Sequence, residues 1–264
     1  MKPIPISFQI GPFTLYLYGI GLAITFWFGF RYIERQLKRY GFESQWLEGA
    51  FIWIIISAIV GARLIHVVAN ISFYINSPIQ VFEVWNGGLS SFGGLLFGIP
   101  TGFYLAKRHC PRLGLVQALD LASPPLMAAW ALGRLLGPQL MYRGGGLPTH
   151  AWYGMYYAGE VGKRYPVPIF QSIECLGIFL ILLALERKFT QRPQGLLIAT
   201  LLALWGMARF NDEYMWLAVP KLWDAVEVTG VIMTIVGWSL IVFLLFKNNK
   251  KTISDTDKIK APIN

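Results

Sequence analysis

Long apolar runs alternate with short clusters of Lys and Arg along the chain. The apolar runs cover about residues 12–31, 47–68, 91–107, 114–136, 168–186, 195–213 and 226–246. Each is close to the ~20 residues that carry a helix across a bilayer, so the pattern predicts seven transmembrane helices. Pro124-Pro125 is expected to interrupt the fourth, because proline removes a helical donor. Residues 70–89 carry no Lys or Arg and predict an interfacial arm. Residues 137–167 are rich in Gly, Tyr and Pro and predict a small head. The tail from Lys247 is basic and is expected to be disordered. The expected fold is an all-α integral membrane protein with one seven-span domain over residues 1–246 and a basic tail over 247–264. Lys2 is the one early charge and no small-residue cleavage site follows, so the first run is expected to stay as a span.

Composition supports that picture. The 264 residues are 55% hydrophobic and 14% charged, against about 25% charged in a soluble domain. The formal net charge of +9 is read as loop charge facing anionic lipid, without nucleic acid as a partner. Fifteen of the 23 Lys and Arg fall at residues 31–39, 107–112, 187–192 and 247–260, which alternate with segments holding only five. The positive-inside rule then puts the N-terminus and the head outside and the C-terminus in the cytoplasm. Cys110 and Cys175 are expected to be free thiols, and His66, His109 and His150 make no ligand cluster. No metal and no organic cofactor is expected.

The polar residues inside apolar runs carry the candidate chemistry. Charges there are costly and point to function. Three arginines qualify, Arg63, Arg134 and Arg209, and they are expected to converge on one cavity. Arg209 and Glu213 are four residues apart and share a helix face with Trp205. They read as a charge pair for burial in lipid or as an anchored anion site. Arg134 has no acid at three or four residues' distance, and its fork suits a lipid phosphate; snorkelling is the alternative. Arg63, in Gly61-Ala62-Arg63-Leu64, is equally compatible with close helix packing. Residues 84–94, Val-Trp-Asn-Gly-Gly-Leu-Ser-Ser-Phe-Gly-Gly, form a hinge that reads as a cavity wall through Gly87, Gly88, Ser90, Gly93 and Gly94. Gln171, Ser172 and Glu174 could cap the fifth helix or line the cavity. Asp120 reads as a structural hydrogen-bonding group. Tyr18 is weak as an interfacial tyrosine taken alone.

These motifs, in this order over roughly residues 12–246, resemble the prolipoprotein diacylglyceryl transferase family. Tyr18-Gly19 is similar to its Tyr-Gly, and Gly61-Ala62-Arg63-Leu64 to its Gly-Gly/Ala-Arg-Leu. Trp85 through Gly94 resembles its Trp-x-Gly-Gly-x-Ser-Phe-His-Gly-Gly. Gly133-Arg134 resembles the start of its Gly-Arg-x-Gly-Asn-Phe-x-Asn. Residues 165–172 resemble its His-Pro-Thr-Gln-Leu-Tyr-Glu-Ser, and Trp205-Gly206, Arg209 and Glu213 its Tyr-Gly…Arg…Glu. The resemblance implies transfer of a diacylglyceryl group from phosphatidylglycerol to the lipobox cysteine thiol of a prolipoprotein signal peptide, in the bacterial cytoplasmic (inner) membrane. It implies catalytic roles for Arg134, Arg209, Glu213 and Tyr18. Substrate-binding roles fall to Arg63, Gly87, Gly88, Ser90, Gly93, Gly94 and Gln171.

Four positions depart from the family pattern. The hinge His is Phe92, the Asn-rich stretch is Leu136-Gly137-Pro138-Gln139-Leu140, the motif Glu is Gln171, and the Tyr of the sixth run is Trp205. The retained set binds anions, and the lost set handles protons. A catalytically impaired paralogue that binds anionic phospholipid, or a transferase with a different acceptor, are the alternatives.

Overall fold

A computed structural model describes the chain apart from residues 1–3, 6, 11–12, 84–87, 190–191, 218–224 and 261–264. Gly87 of the hinge, together with Trp85, lies outside the described residues. All seven apolar runs are helical: α1 (Leu17–Arg39), α2 (Trp46–Ala69), α4 (Ser91–His109), α5 (Leu115–Leu136), α7 (Val167–Lys188), α8 (Leu196–Asn211) and α9 (Ala225–Lys260). Short α3 (Ile71–Asn76) and a 3-10 turn (Pro78–Phe82) form the arm, and α6 (Pro138–Met141) leads into the head. Four helical stretches, Trp46–Ala69, Leu115–Met141, Val167–Lys188 and Val226–Asn248, are long and apolar enough to cross a membrane. The chain is therefore a helical membrane protein.

Three expectations are corrected. The first helix begins at Leu17 rather than near residue 12, because β1 (Ser7–Ile10) and β2 (Phe13–Tyr16) pair antiparallel ahead of it. The aromatic and β-branched residues there favour strand, and Gly11-Pro12 disfavours helix. The second correction is at Pro124-Pro125, which lies inside a continuous α5. Both prolines are buried, and the Ser123 hydroxyl donates to the Leu119 carbonyl at 2.7 Å. Neighbouring helices and hydroxyls make such prolines tolerable in an apolar setting. The third is the tail, which continues α9 to Lys260. No Gly or Pro stands between Gly237 and Pro262 to stop it.

The contacts divide the chain into two units, residues 34–118 and residues 1–33 with 119–264. In the first unit α2 crosses α4 at glycines. A Cβ on Gly61 would lie 2.5 Å from the Phe97 Cβ and 2.6 Å from the Gly93 carbonyl oxygen. Small residues permit that approach, and packing rather than hydrophobicity then holds the pair. At the other end Ala106, Cys110 and Leu113 form a small core with Phe42, Trp46 and Ala118, and the Trp46 and His109 rings stack at 5.5 Å.

In the second unit α8 packs on α9 in the same way. A Cβ on Gly206 would meet the Gly230 carbonyl oxygen at 2.5 Å. The start of α8 is held by α5. Asp120 is 7% exposed, and its carboxylate accepts from the Gly195 N–H at 2.7 Å and the Ile198 N–H at 2.9 Å. It caps α8 from outside the helix, where orphan N–H groups and the positive helix end favour an anion. Gly195 has φ +95°, open to glycine and strained for other residues. Asp120 is structural, as expected.

The head follows α6. Strands β3 (Met155–Tyr156) and β4 (Lys163–Arg164) pair within it. Arg164 donates to the Gly146 carbonyl at 3.0 Å and faces Glu160 at 3.7 Å. Tyr157 is 2% exposed, and burial, helped by the Glu160 charge, pushes its phenol up to about 12.

Asp120→Ala is expected to destabilise the protein by about 2 kcal/mol, the upper range for a lost helix cap. Thermal unfolding in detergent, alongside Asp120→Asn as the milder variant, checks this.

Candidate active site

Arg209 lies in the last turn of α8, where the α-helix passes into a π-helical segment, Asp212–Trp216. Its Nη1 donates to Asp212 Oδ2 at 3.3 Å and its Nη2 to Glu213 Oε1 at 2.6 Å. Both carboxylates are buried. Burial of an acid in apolar surroundings is costly unless it is paired. One guanidinium here serves two. Gln171, in the first turns of α7, donates from Nε2 to the same Asp212 Oδ2 at 2.9 Å. The next residue, Ser172, donates to the Ala131 carbonyl of α5 at 2.9 Å, so α5, α7 and α8 are joined by buried hydrogen bonds at one level.

Aromatic rings complete the wall. Trp130 of α5 meets Trp205 of α8 edge to face at 4.8 Å, and the Arg134 guanidinium sits over the Trp130 ring at 5.5 Å. Among the described residues the Arg134 guanidinium donates no hydrogen bond. The cleft is lined by Trp130, Gln171, Glu174, Cys175, Trp205, Ala208, Arg209 and Asp212, and it is too narrow to hold a water molecule. The π-helical segment is tied to the head. The Leu147 N–H donates to the Trp216 carbonyl at 2.8 Å, and the Trp216 ring lies 5.0 Å from Tyr165 and 4.7 Å from Phe170.

The sequence-predicted residues thus fall into two groups. Arg134, Arg209, Glu213 and Gln171 meet around this cleft. Tyr18 belongs to the same unit. Its backbone is in α1, three residues before Gly21, and a Cβ on Gly21 would clash with Leu136 at the end of α5. The Tyr18 side chain lies outside the described residues.

Arg63, Gly88, Ser90, Gly93 and Gly94 belong to the other unit. Arg63 donates from Nε to the Val81 carbonyl at 2.9 Å, from Nη1 to the Gly88 carbonyl at 2.9 Å and from Nη2 to the Gln80 carbonyl, with Tyr74 under its guanidinium at 5.3 Å. It fastens the arm to α2. Gly88 has φ +73°, and a Cβ there would lie 2.6 Å from His66 Nε2. Ser90 caps α4 by accepting from the Gly93 N–H at 3.4 Å, while its own N–H donates to the Ala62 carbonyl at 2.9 Å. Gly93 is the partner of Gly61 in the helix crossing, and Gly94 makes ordinary contacts with Ala58 and Ala62. The Phe92 side chain lies outside the described residues.

Asp212 and Cys175 were missed in the sequence. A signal for Asp212 was present: an acid three residues after an arginine inside an apolar run can reach it as well as the acid four residues on. Nothing in the sequence marks Cys175, which sits one residue from Glu174 and is buried.

The family model described as prolipoprotein diacylglyceryl transferase matches residues 5–245. Relatives named phosphatidylglycerol–prolipoprotein diacylglyceryl transferase include one from Tolumonas auensis, 27% identical over 91% of this chain and 92% of its own. One from Chloroherpeton thalassium is 30% identical over 80% of this chain and 79% of its own. Another, from Halalkalibacterium halodurans, is 30% identical over 87% of this chain and 82% of its own.

Arg209→Ala leaves Asp212 and Glu213 buried without their cation. The expected cost is about 3–5 kcal/mol, typical of one partner removed from a buried pair. Arg209→Ala/Asp212→Asn/Glu213→Gln is expected to regain much of it, which thermal unfolding of both variants would read.

Proposed function

Since the chain belongs to the prolipoprotein diacylglyceryl transferase family, we propose that it moves a diacylglyceryl group from phosphatidylglycerol to the lipobox cysteine thiol of a prolipoprotein. The reaction forms a thioether and releases glycerol phosphate. It takes place in the cytoplasmic membrane of a bacterium, with seven spans, the N-terminus and head outside, and the C-terminus inside. No metal or organic cofactor takes part in this reading.

The observation that carries the proposal is Arg134. Its guanidinium rests on Trp130 beside the Arg209 cluster and, among the described residues, donates no hydrogen bond. A guanidinium fork matches two oxygens of a phosphate diester. In the transition state the C–O bond to phosphate lengthens and negative charge grows on the leaving oxygens. A cation fixed in advance by an aromatic wall stabilises that charge without reorganising. Arg209 adds a second positive charge to the same surroundings, oriented by Glu213 and Asp212. Gln171 holds Asp212, and Tyr18 of α1 is proposed as a further catalytic residue. Gly87, Gly88, Ser90, Gly93 and Gly94 are proposed as substrate-binding residues of the hinge, and Arg63 acts by holding the hinge backbone at Gly88 to α2. The closed cleft requires the Trp130 and Trp205 side chains to part when lipid enters.

A second reading, lipid binding without transfer, is favoured by one observation: neither Phe92 nor Gln171 can accept a proton where the family motifs carry His and Glu. The discriminating experiment uses purified protein in phosphatidylglycerol liposomes with a lipobox peptide, read by mass spectrometry. Thioether product is expected. Arg134→Ala is expected to lower its rate by about 10²–10³, the usual effect of one lost anion-stabilising donor. Bound phosphatidylglycerol with no product would instead establish the binding reading.

A further inference from the structure

We propose that Asp212 is the proton acceptor for the substrate thiol, an inference that rests on the transferase reading and adds to it the residue that activates the nucleophile. Asp212 is 1% exposed. Its Oδ2 accepts from Gln171 and Arg209, whereas its Oδ1 is buried and, among the described residues, accepts from no amide, guanidinium or hydroxyl; the neighbouring group is the Glu174 carboxyl of α7. Buried carboxylate oxygens are normally satisfied, so an orphan one asks for a reason. Two donors on one oxygen fix the carboxylate plane and leave the other oxygen for a proton. Asp212 lines the cleft, and it is the first residue of the π-helical segment. Such departures from α-helix recur at functional sites, and this one turns two consecutive acids into the protein.

The other groups suit the task less well. Glu174 lines the same cleft beside Asp212, but among the described residues no amide or guanidinium fixes its carboxyl group. None of the residues lining the cleft is a histidine. Glu213 is bound to Arg209 at 2.6 Å. Gln171 cannot accept a proton as a base, and it stands where the family motif carries Glu. Its amide instead holds Asp212, so a carboxylate occupies nearly the same place, displaced by one hydrogen bond from α7 to the end of α8.

The proposed step balances as follows. The thiol proton passes to Asp212 Oδ1. The thiolate sulfur attacks the diacylglyceryl carbon that carries the phosphate ester. The S–C bond forms as the C–O bond breaks, and its electron pair leaves on the glycerol phosphate. The proton then passes from Asp212 to the departing phosphate. The thiolate is the competent nucleophile, and a free cysteine has a pKa of about 8.5, so an acceptor is needed near neutral pH.

The test is Asp212→Asn in the full chain, in phosphatidylglycerol liposomes with a lipobox peptide. Asparagine keeps the shape and can still accept from Gln171 and Arg209. The charged and titratable groups facing position 212 are Glu174 and Cys175 on α7, Arg134 on α5, and Arg209 and Glu213 beside it in sequence. They are present in both proteins, so a difference in pH profile belongs to position 212. Transfer is expected to fall about 10²–10⁴-fold at neutral pH, with phosphatidylglycerol binding unchanged. The deficit is expected to shrink between about pH 7 and about pH 9.5 as the peptide thiol ionises unaided. Activity within threefold of the parent, or a deficit equal at both pH values, would overturn the proposal. If Asp212→Asn fails to fold, Gln171→Glu/Asp212→Asn decides, because it returns the carboxylate to α7 across the same hydrogen bond. Substantial transfer by the folded double variant is expected, and none would overturn the proposal. A parent chain that makes no product overturns the transferase reading and this inference together, an outcome distinct from an active parent with an equally active Asp212→Asn.

Discussion

A single guanidinium shared by two buried carboxylates sets what the rest of the second unit must do. Asp212 and Glu213 are consecutive acids at the end of an apolar helix. They are tolerable there because Arg209 reaches both. Removal of the cation would take a charge partner from both acids in a low-dielectric setting, where pairing matters far more than at a surface. Asp120 holds the other end of the same helix through two backbone N–H groups. Helix α8 is thus pinned at its start by an acid on α5 and at its end by its own cation, with Gln171 and Ser172 of α7 bonded across at that level.

That arrangement explains why the site lies where it does. Lipid-facing helices have little hydrophobic reason to associate, and interfaces between them rely on small residues and polar contacts. The crossing of α8 and α9 uses Gly206 and Gly230; the site uses the polar contacts. The π-helical segment that carries the acids is held in turn by the head, through Leu147 and the rings of Tyr165 and Phe170 around Trp216. The head therefore contributes to the position of the chemistry without supplying a side chain to the cleft. In the first unit, Arg63 serves a different purpose from its charge-bearing counterparts. It binds three carbonyls of the arm and the hinge, which anchors irregular backbone that could not stand alone in lipid.

Much of this was legible in the sequence. The apolar runs pointed to helix in all seven places, and among the described residues four helical stretches are long and apolar enough to cross a membrane. The Arg209–Glu213 spacing announced a shared face, and Asp120 was recognisable as a structural acid. The rest depended on non-local facts. The double proline looked like a break, but in buried surroundings α5 runs on through it. The hairpin ahead of α1 was hidden because its residues are as apolar as those of the helix. Asp212 was overshadowed by Glu213. Its importance comes from Gln171, 41 residues away in sequence, which no periodicity connects to it.

The most direct measurement is an experimental structure of the protein in nanodiscs with phosphatidylglycerol. The lipid phosphate is expected within about 3 Å of the Arg134 guanidinium, hydrogen-bond distance for charged partners, with the cleft opened between Trp130 and Trp205. A lipid phosphate bound elsewhere, with Arg134 still resting on Trp130 and the cleft closed, would contradict the assignment of this cleft as the active site.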